Sequence, residues 1–155
     1  MVSDLETALR DHQFTAGMAT EDVSRIMDCV VGEASFAEDE VLFRAGSPAD
    51  RLYLLEDGEV ALEIHSPARP HRIIQTVAGG EILGWSWLFE PYRWTFDARA
   101  ITPTSAIVLD AAKIRHCADQ HPDLGILVIR RIAGLVVQRL HATRLQLLDL
   151  YASST

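Results

Sequence analysis

The dipeptide Asp57-Gly58 constrains this chain more than any other feature. It separates Leu52-Tyr53-Leu54-Leu55-Glu56 from Glu59-Val60-Ala61-Leu62-Glu63-Ile64, two runs rich in strand-favouring residues, and Asp-Gly reaches positive φ at low steric cost. The spacing predicts a tight β-hairpin. The same rhythm repeats on either side: short β-prone runs at 33–36, 41–44, 52–56, 59–65, 72–77, 94–101 and 105–109 alternate with turn residues. Pro67 and Pro70 mark an exposed loop, and Thr102-Pro103 separates the last two runs.

Helical patterns flank this block. The first thirty residues read as helix, with Leu5, Ala8 and Leu9 at helical intervals, and a second helix starts at Thr20 as N-cap, followed by Glu21 and Asp22. Asp110 caps a helix of about ten residues that ends at His121-Pro122, because a residue before proline avoids the α region. From Asp123 to about Tyr151 the chain reads as one long helix with a stripe Ile129, Ile132, Val136, Leu140, Leu147, Leu150. Leu124, Val128, Leu135 and Leu145 lie off that stripe. So wide an apolar surface exceeds what one small sheet can cover, and predicts a homodimer through Leu124, Val128, Leu135 and Leu145. The order implies an α+β fold: a mainly antiparallel, jelly-roll-like β-roll of about eight strands with outer helices. It forms one domain over 1–155, with N-terminal helices at 1–32, the roll at 33–110 and C-terminal helices at 111–151.

With 155 residues, 48% of them hydrophobic, the chain suits a single core. The formal net charge of −8 makes nucleic acid a poor default partner. Residues 1–65 carry 15 acids and 4 bases, whereas residues 66–155 carry 7 acids and 10 bases, so only the second half favours an anion. Two cysteines, Cys29 and Cys117, form no disulfide framework and read as buried thiols on helical segments, which suits a reducing cytoplasm. The N-terminus lacks the basic and apolar regions of a signal peptide. No run is long and apolar enough to predict a membrane span, since Arg130 and Arg131 interrupt the segment from Leu124 to Val137.

Residues 36–62, from Phe36-Ala37-Glu38 through Arg44-Ala45-Gly46 and Arg51-Leu52-Tyr53 to Asp57-Gly58-Glu59-Val60-Ala61-Leu62, resemble the cyclic-nucleotide-binding domain superfamily. This is the sensory β-roll of catabolite-activator-type regulators, kinase regulatory subunits and gated channels. The resemblance implies a phosphate-binding cassette, here 79–96, of the pattern Gly-Glu-x-x-Gly-Glu-x-Ala-Leu-Leu followed by Pro-Arg-x-Ala-Thr. In that family a short helix offers backbone amides to the cyclic phosphate, Arg neutralises it and the second Glu holds the ribose hydroxyl. Gly80, Glu81, Gly84, Leu88 and Arg99-Ala100 fall in register. Trp85 replaces the ribose-binding Glu, Trp94 the phosphate-binding Arg, and Asp97 the Thr or Ser. Losing two charge-assisted contacts at about 1.5–3 kcal/mol each weakens affinity roughly 10²- to 10⁴-fold. Arg93 is one residue from the missing Arg, but on a strand that shift points its side chain to the opposite face.

The cassette residues Gly80, Glu81, Ile82, Leu83, Gly84, Trp85, Ser86, Trp87, Arg93, Trp94 and Thr95 are the candidate ligand site. Six of 11 aromatics, Trp85, Trp87, Phe89, Tyr92, Trp94 and Phe96, fall within twelve positions. They either fill the pocket, line an open one for a flat ligand, or form a surface patch for a partner protein. Other chemistries find no support. Gly84-Trp85-Ser86-Trp87 lacks the closing glycine of a nucleophile elbow, His116, Cys117 and His121 lack metal-site spacing, and Ala78-Gly79-Gly80 lacks the lysine of a P-loop. The chain is expected to be a stand-alone, non-enzymatic sensor module without certain cofactor, acting through an unidentified partner protein. It is expected to touch neither DNA, since only four residues follow the long helix, nor membrane. The alternatives are a cyclic-nucleotide sensor using Arg93, Ser86 and the amides of 83–86, and a structural interaction subunit.

Overall fold

The structure is a computed structural model that describes residues 4–64 and 72–153. Two compact units divide it, one ending at Cys117 and one beginning at Ala118. In the first unit α1 (Asp4–Asp11) leads through a 3₁₀ turn (Gln13–Thr15) to α2 (Thr20–Met27). There follow β1 (Val30–Phe36), β2 (Val41–Phe43), β3 (Arg51–Asp57), β4 (Glu59–Ile64), β5 (Arg72–Ala78), β6 (Ile82–Leu83), β7 (Asp97–Ala100) and β8 (Thr104–Asp110). All pairings are antiparallel, in two four-stranded sheets of order β1-β8-β3-β6 and β2-β7-β4-β5. The α+β roll expected from the sequence is the fold. Two helices complete the chain, α3 (Ala111–Gln120) and α4 (Pro122–Ser153).

Asp57-Gly58 does turn the chain between β3 and β4, with Gly58 at φ 96°, but the hairpin expected there does not form: β3 pairs with β6 and β8, and β4 with β5 and β7. The strands on either side belong to different sheets, so this turn carries the chain from one layer to the other. Between the layers, Leu55, Leu83 and Ala106 of the first sheet pack with Val60, Leu62, Val77 and Ala98 of the second. Alternation puts Leu52, Leu54, Ile107 and Leu109 on the other face of the first sheet, where all four are buried. Leu9, Phe14, Val23, Ile26 and Ile114 supply the matching buried helical side chains.

Local differences from the sequence reading have local causes. The first thirty residues are not continuous helix, because the 3₁₀ turn and Gly17 at φ 78° break them. The N-cap of α2 is Ala19, and Thr20 is already helical. Cys29 lies in the connection from α2 to β1 rather than on a helix, and its thiol donates to the Arg25 carbonyl at 3.5 Å. Asp110 caps α3 as expected, accepting from the Lys113 amide at 3.1 Å. The Pro67–Pro70 loop lies outside the described residues.

One buried polar tie holds the helical layer to the roll. His12 Nδ1 accepts from the Phe14 amide at 3.1 Å, so Nε2 bears the proton and donates to the Leu55 carbonyl at 3.0 Å. Leu55 also bonds to Gly80 and Glu81, which open the segment 80–96. Burial holds the His12 pKa below its ordinary value, opposed by the carbonyls of Leu55 and Glu81. The neutral ring is therefore the native form, and the folded state binds fewer protons than the unfolded one. Its stability is complete above the ordinary value of 6.5 and falls as pH drops below it. Thermal melts from pH 8 to pH 5 are expected to show this loss, and His12→Gln to flatten it while costing about 1–3 kcal/mol at neutral pH.

Candidate functional site

The segment after β5 turns at Gly79-Gly80, forms the two-residue strand β6 and enters a single 3₁₀ turn, Ser86–Leu88. It then loops through Phe89–Phe96 before β7. The loop is fastened from two sides. Against the β2–β3 connection, the Gly46 amide donates to Trp94 O at 2.7 Å, the Trp94 amide to Ser47 O at 3.0 Å, and the Ala49 amide to Tyr92 O at 2.7 Å. Against α3, Arg115 donates to Trp87 O at 2.5 Å while its guanidinium lies 4.0 Å from the Tyr92 ring centroid. Residues 94–96, expected as strand, belong to this loop, and the strand begins at Asp97.

Three of the aromatics act inside the protein. Trp87 is fully buried, its Nε1 donating to Gly84 O at 3.3 Å. Trp94 is 5% exposed and stacks on Phe43, with centroids 3.8 Å apart and planes 9° from parallel. Phe43 in turn meets Tyr53 at 6.1 Å. Gly84, at φ 78°, has Trp94 so close that a Cβ there would lie 2.9 Å from its ring. The space left among Phe43, Leu62, Gly84, Trp85, Ser86, Trp94 and Phe96 is ≈ 10 Å³, water-sized at most. Trp85 and Ser86 are half-buried at its rim, and Phe89 is 54% exposed.

The charged candidates stand elsewhere. Arg93 is exposed and donates to Gly46 O at 2.8 Å, away from the small cavity. Thr95 is exposed as well. Asp97, expected to repel an anion, accepts from the Ala45 amide at 2.7 Å and so secures the β2–β3 connection. Arg99 is bound at 2.8 Å to the buried Glu63 and at 2.7 Å to Asp39, and the Glu63 bond raises its pKa. Glu81 is half-buried, and Ile82 and Leu83 are buried. Ser47, Phe43 and Arg115 were not legible as site residues, since only the tertiary pairing brings them to the segment.

The second unit places the dimer candidates differently from expectation. Leu124 and Val128 are each 1% exposed, so they offer nothing to a second copy. Leu135 is half-buried and Leu145 is 50% exposed. One row at a 3–4 spacing, Ile126, Ile129, Ala133, half-buried Val136, Leu140, Thr143, Leu147 and Leu150, is apolar except at Thr143, while Val137, Leu145, Leu148 and Tyr151 are exposed off that row. Among the described residues no helix is long and apolar enough to cross a membrane, and no group of His, Cys, Asp and Glu could hold a metal ion.

The Trp94–Phe43 stack generates a stability prediction. Trp94→Ala is expected to cost about 3–5 kcal/mol in urea unfolding, and Gly84→Ala about 1–3 kcal/mol through its positive φ, more if Trp94 cannot shift.

Comparison with known proteins is consistent with this geometry. A family model described as the cyclic nucleotide-binding domain matches residues 33–121. A Geobacter metallireducens protein described as cyclic nucleotide-binding has a similar crystal structure: TM-score 0.77, 32% identity, covering 91% of this chain and 100% of that one. A cyclic nucleotide-binding domain from Methylobacillus flagellatus shares the fold at TM-score 0.77 and 21% identity, over 94% of this chain and 81% of its own. A CRP-like cAMP-activated global transcriptional regulator of Mycobacterium tuberculosis is 26% identical over 115 residues, 74% of this chain and 50% of the regulator. The chain thus spans about half the length of that curated relative.

Proposed function

Since the chain belongs to the cyclic nucleotide-binding domain family, we propose that it is a non-enzymatic regulatory module whose cassette does not hold cyclic AMP or cyclic GMP in the family's way. We propose further that it dimerises through α4 and acts through a partner protein. The Trp94–Phe43 stack carries this reading. The ≈ 10 Å³ it leaves compares with the roughly 300 Å³ or more of small-molecule sites. A nucleotide would have to displace a stacked indole before gaining any contact. Neither Arg93 nor Arg99 compensates, because they are turned to Gly46, Glu63 and Asp39. A cyclic phosphate placed beside Asp97 would also meet a carboxylate already used to anchor Ala45.

The exposed seam of α4 supports the dimer. Ile126, Ile129, Val136, Leu140, Leu147 and Leu150 recur at heptad a and d spacing, with Ala133 and Thr143 completing the series. Exposed Phe89 beside the cassette is a further apolar contact for a partner.

Isothermal titration with cyclic AMP and cyclic GMP is expected to give no dissociation constant tighter than about 100 μM; one below about 10 μM would overturn the reading. Sedimentation at micromolar concentration is expected to show a dimer that Leu140→Arg converts to monomer. A monomeric parent chain would remove the dimer while leaving the cassette result intact.

A further inference from the structure

A second cavity lies within the roll, on the face of the first sheet turned toward the second. The register sets Gly32 beside Val108 and Val108 beside Tyr53, and in the next rank Ala34 beside Ala106 and Ala106 beside Leu55. On β1 this inner face carries the small residues Gly32 and Ala34 before Phe36, where β8 and β3 carry Val108, Tyr53 and Leu55. A Cβ built on Gly32 meets nothing within 4 Å. The missing side-chain volume opens a cavity of ≈ 330 Å³ lined by Gly32, Ala34, Phe36, Arg51, Tyr53 and Val108, roughly the lower bound for a small-molecule site.

Its polar groups are uncommitted. Arg93, Arg99 and Arg115 each donate to an internal acceptor. The half-buried Arg51 makes no hydrogen bond or ion pair among the described residues, and neither does the Tyr53 hydroxyl. Burial pushes the Tyr53 pKa up, so its hydroxyl is a neutral donor at neutral pH. The flat walls are the rings of Phe36 and Tyr53, edge-to-face at 6.3 Å. Exposed Glu33 is also among the lining residues, and its negative charge disfavours a dianion.

We propose that this cavity is a ligand site for a small aromatic monocarboxylate, its ring between Phe36, Val108 and Tyr53 and its carboxylate on Arg51. A guanidinium matches a carboxylate in a two-bond fork, and one cation balances one negative charge. The site is separate from the cassette, since the Phe43–Tyr53 contact stands between it and Trp94. Its occupant would press on the same row of rings from the other end.

The test uses 2-naphthoate and its neutral isostere 2-naphthamide, with calorimetry and backbone amide shifts on the full chain. 2-Naphthoate is expected to bind with a dissociation constant on the order of 100 μM, shifting residues 32–34 and 53. The amide is expected to bind at least about tenfold more weakly, as is 2-naphthoate to Arg51→Met. Ala34→Phe, which fills the cavity, is expected to abolish binding. Arg51→Met removes a half-buried side chain with no internal bond, so it decides the matter even where Ala34→Phe perturbs the fold. No binding at about 5 mM, equal binding of the amide, an unchanged constant for folded Arg51→Met, or shifts confined to residues 84–86 would each overturn the proposal.

Discussion

The contact on which the candidate site depends is the stack of Trp94 on Phe43. An indole buried at 3.8 Å against a parallel ring gains dispersion and the removal of a large apolar area from water. Its neighbours are arranged to admit it. Gly84 carries no side chain because one would enter the Trp94 ring, and both backbone groups of Trp94 are tied to Gly46 and Ser47. From Trp94 the ring contacts run on through Phe43 and Tyr53 to Phe36. One row of aromatics thereby joins the cassette loop to β2, β3 and β1. A disturbance at either end has a packed route to the other, because close-packed side chains cannot yield independently.

Electrostatics follow from the same occupancy. A buried phosphate needs cations that have no other employment, and three arginines around the cassette are employed. Arg99 closes a bridge between Glu63 and Asp39, Arg93 holds the turn at Gly46, and Arg115 grips the Trp87 carbonyl. Freeing Arg99 would break its bonds to the buried Glu63 carboxylate, a cost that exceeds the worth of a surface ion pair. The proposed loss of nucleotide binding thus fits a positive half, residues 66–155, whose cassette arginines Arg93, Arg99 and Arg115 are bonded internally.

Local patterns made the roll legible in the sequence. Asp57-Gly58 specified its turn because both the conformation and the flanking runs are encoded within a dozen residues, and Pro122 marked a helix start because its φ suits a first turn. β6 escaped because two residues, Ile82 and Leu83, carry no period. Residues 94–96 read as strand because Trp94, Thr95 and Phe96 are strand formers, yet pairing with the loop at Gly46–Ala49 overrides that preference. The substitutions at 85, 94 and 97 were visible from the motif alone, but that Trp94 fills the pocket while Trp85 stays at its rim depends on Phe43, some fifty residues away. The cavity at Gly32 and Ala34 was invisible, since it exists only through the register of β1, β8 and β3.

The long helix carries apolar residues in two rows, only one of which is buried within the chain. Its apolar residues are too many for one face, which is why two burials were expected of it. The buried positions, Leu124, Val128 and Ile132, recur at four-residue steps, whereas a second row, Ile126, Ile129, Ala133, Val136, Leu140, Thr143, Leu147 and Leu150, exposed except at half-buried Val136, alternates steps of three and four. A row at steps of four drifts around a helix of 3.6 residues per turn, and a row averaging 3.5 stays nearly on one side. The two rows therefore diverge within a few turns. Period alone separates them only when burial is known, because both contain Leu, Ile and Val. The straighter row is the one that a second helix can follow over its whole length, which is why the dimer proposed above places its seam on the stripe from Ile126 to Leu150.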